Sequence, residues 1–202
     1  MNTKDKKILS IFAHREDFIL FGWPVVQDKS VNHLLYIMVD EAIEIINEIC
    51  HNENIQFLGD ANLKNRFSFQ LDKKQRKTYD EILKKVKFII DNEKPDMLFT
   101  HNPMGEYGHS DHRFLFELIY NNFDLPIIIT DILVESSHCV YYKNIPKSCK
   151  YFYKRKLYEI EPDINFYKRN KRLYRAMGMW TNSKKLTIKD YPKKISLYLV
   201  KD

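Results

Sequence analysis

The chain has 202 residues, 44% of them hydrophobic and 30% charged, with 33 Lys and Arg against 27 Asp and Glu, a net charge of +6. That is enough apolar material for one folded domain with a real core, read here as a single domain over 1–202. The longest uncharged apolar run, Phe18 to Val26, is far short of the roughly 20 residues a helix needs to cross a bilayer, so no transmembrane segment is expected.

In chain order, the basic amino terminus leads into an apolar segment of about six residues, shorter than the roughly 7–15 of a secretory leader. KILSIFA (7–13) therefore reads as a buried strand. Phe18 to Gln27 reads as a helix that Pro24 distorts or ends. HLLYIMV (33–39) is the next strand, and DEAIEIINEICHN, with Ile43, Ile46 and Ile49 at helical spacing, the next helix. IQFLGD follows as a short strand ending in a turn. Tyr79, Ile82, Leu83, Val86 and Ile89/Ile90 then mark an amphipathic helix from Asp72 to Asn92, stopped before Pro95. DMLFT is a strand, HRFLFELIYNN a helix and PIIIT a strand. Such alternation predicts an α/β fold, a mainly parallel sheet with helices on both faces. No repeat or low-complexity linker interrupts it.

Cys50, Cys139 and Cys149 are odd in number and lack CxxC spacing, which argues against a disulfide framework or a thiolate zinc site and suits a reducing cytoplasm. The basic excess is greatest after residue 143, in KSCKYFYKRK and YKRNKRLYR. It reads as a solvated face over packed aromatic stems rather than a nucleic-acid surface, and leaves peripheral contact with an anionic membrane or a phosphate-bearing substrate open.

Two polar clusters fall where strands hand over to helices, the place where open parallel sheets gather ligands. AHRED (13–17) leaves the first strand, and THNPMGEYGHSDH (100–112) leaves DMLFT. A catalytic zinc takes three nitrogen or carboxylate ligands and keeps a position for water. His14 and Asp17, with His109 or His112, would supply that set. Glu16 would be the base that takes a proton from water, and the spare histidine the acid that returns one to an amine. Asp111 could orient an imidazole or simply favour a helix start. Gly105 and Gly108 would let the loop bend tightly, and Tyr107 could donate its hydroxyl to an oxyanion. His101 reads as a supporting residue, and His33, His51 and His138 as ordinary.

The motif pair AHRED and HNPMGEYGHSDH resembles the LmbE-like or PIG-L family of zinc-dependent N-deacetylases, whose signature is AHPDD followed by a later HxDH. The resemblance runs from Lys7 to about Thr130, and WTN at 180–182 is similar to a tail segment of some members. It implies a Rossmann-like fold and hydrolysis of the acetamide of an N-acetylated amino sugar in glycan or glycoconjugate biosynthesis. It further implies a metal, Zn²⁺ or Fe²⁺, on His14, Asp17 and His112. His109 takes the place of the general acid or charge stabiliser, with Asp111 as its partner. Glu16 occupies the base position, which is Asp in the family motif. Arg15 stands in place of the motif's Pro, adding a charge that, with Tyr107, is read as substrate-binding. Phe18 replaces a Glu, and FGWP replaces a Gly-rich helix start. The altered loop also motivates a second reading, a catalytically impaired relative that binds a glycan or nucleotide sugar. Oligomeric state is not legible.

Overall fold

The computed structural model describes residues 3–39, 43–53, 55–60, 73–132, 147–176 and 194–202. Among the described residues, seven strands form one sheet in the order β3-β2-β1-β4-β5-β7-β6. They are β1 (Lys7–His14), β2 (Asn32–Val39), β3 (Ile55–Asp60), β4 (Met97–Thr100), β5 (Ile127–Thr130), β6 (Arg155–Ile160) and β7 (Ile195–Lys201). The first five pair in parallel, whereas β7 runs antiparallel to both β5 and β6. The mainly parallel α/β sheet is therefore the observed architecture. Its antiparallel end, β6 and β7, has no counterpart in the sequence reading. The edge strand β6 has no fully buried residue, so it lacks the continuous apolar run that announces the buried strands.

Two cores fill the two faces because side chains alternate along each strand. Ile8 and Phe12 of β1 point with Leu35, Phe99 and Ile128 toward the segment Phe18–Val26 and Phe166. Leu9, Ile11 and Ala13 point the other way, with Leu98 and Ile127, toward Ile82, Val86, Leu115 and Ile119. Those four residues come from α3 (Lys73–Glu93) and α5 (Ser110–Asn122). The remaining helices among the described residues are α1 (Trp23–Val26), α2 (Ile43–Glu53), the single turn α4 (Gly105–Gly108) and α6 (Ile164–Ala176). A 3₁₀ segment covers Lys147–Tyr153, and no helix among the described residues is long and apolar enough to cross a membrane. The tail motif at 180–182, His138 and Cys139 lie outside the described residues. Cys50 and Cys149 form no disulfide among the described residues.

The stretch after Asp17 differs in detail from the expected helix. Phe18–Gly22 winds as a wide π-helical turn and passes into α1, with Pro24 in the first turn of α1. Pro24 thus begins a helix rather than ending one, since the first turn is where a missing N–H costs nothing. All nine residues from Phe18 to Val26 are buried. Gly22 makes this possible, for a Cβ there would lie 2.7 Å from the ring of Phe12. That ring is itself fixed edge-on to Phe99 and His101, with centroids 5.5 and 5.1 Å away. Gly22→Ala is therefore expected to lower stability by about 1–3 kcal/mol, as overpacked cores do. Urea unfolding followed by circular dichroism checks this as a drop in midpoint at unchanged slope.

Candidate metal and catalytic site

Parallel pairing of β1 and β4, in the register Ile11 with Thr100, brings the two polar clusters to one edge of the sheet. The strand ends are also stitched by side chains. Thr100 Oγ1 donates to the Ile11 carbonyl at 3.0 Å, and the Ala13 N–H donates to His101 Nε2 at 3.0 Å. Beyond β1 the chain turns at once, because the apolar run from Phe18 must be buried. Asp17 Oδ2 accepts the His14 backbone N–H at 2.8 Å and closes that turn.

The second cluster is shaped by Asn102 and Glu106. Asn102 Oδ1 accepts from the N–H groups of Met104 and Glu106, and its amide donates to the Ile132 carbonyl at 2.9 Å, tying the loop to the end of β5. Gly105 takes φ +63°, and a Cβ there would meet Arg113 Cγ at 2.8 Å and His112 Cβ at 3.3 Å. Glu106 also has positive φ, 54°, which is costly for a residue with a side chain. Its buried carboxylate accepts the Asn102 N–H at 3.0 Å on one oxygen; on the other it meets Nδ1 of His101 at 2.9 Å and Nδ1 of His112 at 2.7 Å. Helix α5 then begins. His109 caps it, its Nδ1 accepting the Asp111 N–H at 3.2 Å, and Asp111 and His112 on the first turn are fully buried.

Three donor atoms converge from these elements. His14 Nδ1 lies 3.1 Å from Asp17 Oδ2, His112 Nε2 lies 3.2 Å from the same oxygen, and the two nitrogens are 3.3 Å apart. A tetrahedral zinc with ligands at about 2.0–2.1 Å holds each pair of ligand atoms about 3.3 Å apart. The triangle therefore has the dimensions of one face of such a centre. His14 Nε2 is 3.0 Å from Asp111 Oδ2, so the outer nitrogen of each imidazole in the triangle rests on a carboxylate, Asp111 for His14 and Glu106 for His112. Two other groupings, His14 with His109 and His112, and Asp17 with His101 and His112, also keep their donor atoms within 4.8 Å of one another. The second of these is weakened because the Ala13 N–H already occupies the Nε2 lone pair of His101.

The electrostatics point the same way. Burial opposes a charge on His14, yet Asp17, Asp111 and Glu16 outweigh it and lift its pKa to about 10. Burial likewise opposes a charge on His112, but Asp17 and Glu106 raise it to about 9. The cluster's carboxylates thus draw positive charge onto both imidazoles, and a divalent cation in the triangle would answer the same demand. Glu106 is held down at about 2 because His101 and His112 overcome its desolvation, and Asp17 is held well below the usual range, despite its burial, by His112 and His14. Burial and the neighbouring Asp17 charge push Glu16 up. Burial, reinforced by His112 and His14, pulls His109 down to about 4.

Of the residues singled out in the sequence, His14, Asp17 and His112 meet in the triangle, with His109 stacked against His112 at 4.6 Å between ring centroids. Asp111 lies nearer to His14 than to His109, whose Nδ1 is 3.9 Å from its carboxylate. Tyr107 packs its ring at 5.2 Å from His112, 5.4 Å from His109 and 6.1 Å from Phe21. Burial and the surrounding carboxylates raise its phenol pKa. Arg15 and Glu16 are half-buried in the turn. Glu106 was missed. Its sequence signal was an acid set between Gly105 and Tyr107 in a histidine-rich loop, but only the fold shows that it faces two imidazoles.

Several solved deacetylase structures share this fold. A teicoplanin deacetylase in complex with teicoplanin superposes with a TM-score of 0.61 at 11% identity, covering 96% of this chain and 98% of that one. The zinc-inhibited form of a teicoplanin deacetylase gives 0.62 at 12% identity, covering 95% and 97%. The deacetylase of the A40926 pseudoaglycone gives 0.58 at 10% identity, covering 98% and 97%. At such identities the likeness speaks for the fold. No curated protein matches the chain. The family model described as "PIG-L: GlcNAc-PI de-N-acetylase" matches residues 9–123, a span that takes in both polar clusters and more than half of the sequence, and the chain belongs to the PIG-L family.

Proposed function

We propose that the protein is a metal-dependent N-deacetylase that hydrolyses the acetamide of an N-acetylated amino sugar in the making of a glycan or glycoconjugate. The observation that carries this reading is the triangle of His14 Nδ1, Asp17 Oδ2 and His112 Nε2, with edges of 3.1–3.3 Å. Membership of the PIG-L family supports the substrate class. A zinc ion held by those three residues would supply Lewis-acid activation of a water molecule and of the acetamide carbonyl. Fe²⁺ suits the same two-histidine, one-carboxylate set. Cys50 and Cys149, which form no disulfide among the described residues, suit a reducing cytoplasm.

The chain's own residues divide the remaining work. Glu16 takes the proton of the attacking water, a task suited to a carboxylate whose pKa is raised by burial and by Asp17. His109 accepts a backbone N–H on Nδ1, so its single ring proton lies on Nε2. From there it donates a hydrogen bond to the carbonyl oxygen as negative charge grows. Surrendering that proton would leave an imidazolate, so the proton needed by the departing amine is better assigned to Glu16, which holds the one taken from water. The sequence reading gave that delivery to His109; the tautomer imposed by the α5 cap is the reason to move it. Tyr107 keeps its phenol proton and would donate to the substrate, and Arg15 would meet a sugar hydroxyl or an anionic group attached to the sugar.

Zinc-loaded protein incubated with N-acetylhexosamines, free, nucleotide-linked and lipid-linked, is expected to release acetate and free amine from at least one class. Silence across the whole panel would overturn the reading. Asp17→Ala should abolish both bound zinc and turnover, measured by elemental analysis and acetate release, and persistent turnover would exclude the assigned ligand set. Glu16→Gln should retain zinc while lowering kcat by about 10²–10⁴-fold, the usual scale for a lost general base. If wild-type protein is silent and Glu16→Asp restores release, the impaired, sugar-binding relative is the correct reading.

A further inference from the structure

We propose that Glu106 is the positioning residue of this centre: one carboxylate oxygen holds the Nδ1 side of both His101 and His112, so that His112 turns Nε2 toward Asp17 and His14 while His101 is kept out of the coordination sphere. The inference rests on the metal site proposed above and adds to it a residue outside the motif pair's ligand set.

Geometry carries the argument. A carboxylate only accepts, so the contacts of 2.9 Å to His101 Nδ1 and 2.7 Å to His112 Nδ1 place a hydrogen on each of those nitrogens. The Nε2 atom of His112 is then the one left to face Asp17 Oδ2 at 3.2 Å and His14 Nδ1 at 3.3 Å. For His101 the same bond leaves Nε2 as the acceptor; the Ala13 N–H fills it at 3.0 Å, nearer than Asp17 Oδ2 at 3.4 Å. With both nitrogens committed, His101 serves as a brace, its ring stacked on His112 at 3.8 Å and 17°. The grouping of Asp17, His101 and His112 thereby becomes a support for one ion rather than a second ion site.

The backbone shows what this arrangement costs. Glu106 has φ 54° and ψ −52°, a conformation that persists only where surrounding contacts over-determine it. Those contacts are reciprocal: the Asn102 N–H donates to Glu106 Oε1, and Asn102 Oδ1 accepts the Glu106 N–H. An amide in place of the carboxylate would bring an NH₂ group against N–H donors and could not satisfy all three. Glycine would suit the backbone but offer no acceptor.

Glu106→Gln and Glu106→Gly, with Asp17→Ala as the reference, would be compared with wild type in three measurements. These are zinc affinity by chelator competition, thermal midpoint without metal, and the ¹⁵N imidazole signals that report tautomers. Both Glu106 variants are expected to lose about 10–100-fold in zinc affinity, the scale for losing a carboxylate behind a ligating histidine. The Nδ1–H signature of His112 should be lost, and the metal-free Glu106→Gly protein should stay folded because the strained φ is relieved. Zinc affinity within about twofold of wild type in both variants, or affinity lost with His112 signals unchanged, would overturn the proposal. Should Asp17→Ala abolish zinc binding while the Glu106 variants keep it, this inference alone falls. Should Asp17→Ala bind zinc as wild type does, the metal centre falls and the inference with it.

Discussion

Parallel pairing of β1 with β4 is the constraint from which the site follows. Side-by-side parallel strands end at the same edge, so their two following turns must share space. The register of Ile11 with Thr100 then sets how far each turn reaches. His14 and Asp17 come from one turn, and His109, Asp111 and His112 from the other; the distances of 3.1–3.3 Å among the donor atoms depend on that register. A slip of one residue would send every β1 side chain to the opposite face. Ile8 and Phe12 would then leave the core they share with Phe18–Val26. Packing on both faces therefore defends the chemistry at the edge.

Much of this was legible because buried parallel strands and amphipathic helices have strong periodic signatures. KILSIFA, HLLYIMV, DMLFT and PIIIT all became strands, and the helix over Lys73–Glu93 appeared close to its expected limits. What escaped was set by tertiary pairing. The strand β6, with no fully buried residue, and its antiparallel neighbour β7 carry no local mark of their direction. The π-helical turn at Phe18–Gly22 reflects close packing between Gly22 and Phe12, which sit ten positions apart and touch only in the folded chain.

The candidate site divides in the same way. Residue types and their place at strand ends pointed to His14, Asp17, Glu16, His109 and His112. Hydrogen-bond direction could not be read from spacing, and two assignments turn on it. Asp111 is near His109 in sequence, but the helix start aims its carboxylate at His14 and only its backbone N–H at His109. Glu106 lies in an unusual backbone region, so its side chain turns inward where an ordinary loop glutamate would be solvated.

The exposure of the histidines adds one consequence. The His14 and His109 side chains keep 19% and 24% of their surface open, while those of His101 and His112 have none. Beneath them the buried run from Phe18 to Val26 seals the floor. Among the described residues, then, the triangle meets solvent on the flank of His14 and His109, whereas His101 and His112 form its closed back wall: the cluster has a wet side and a dry side.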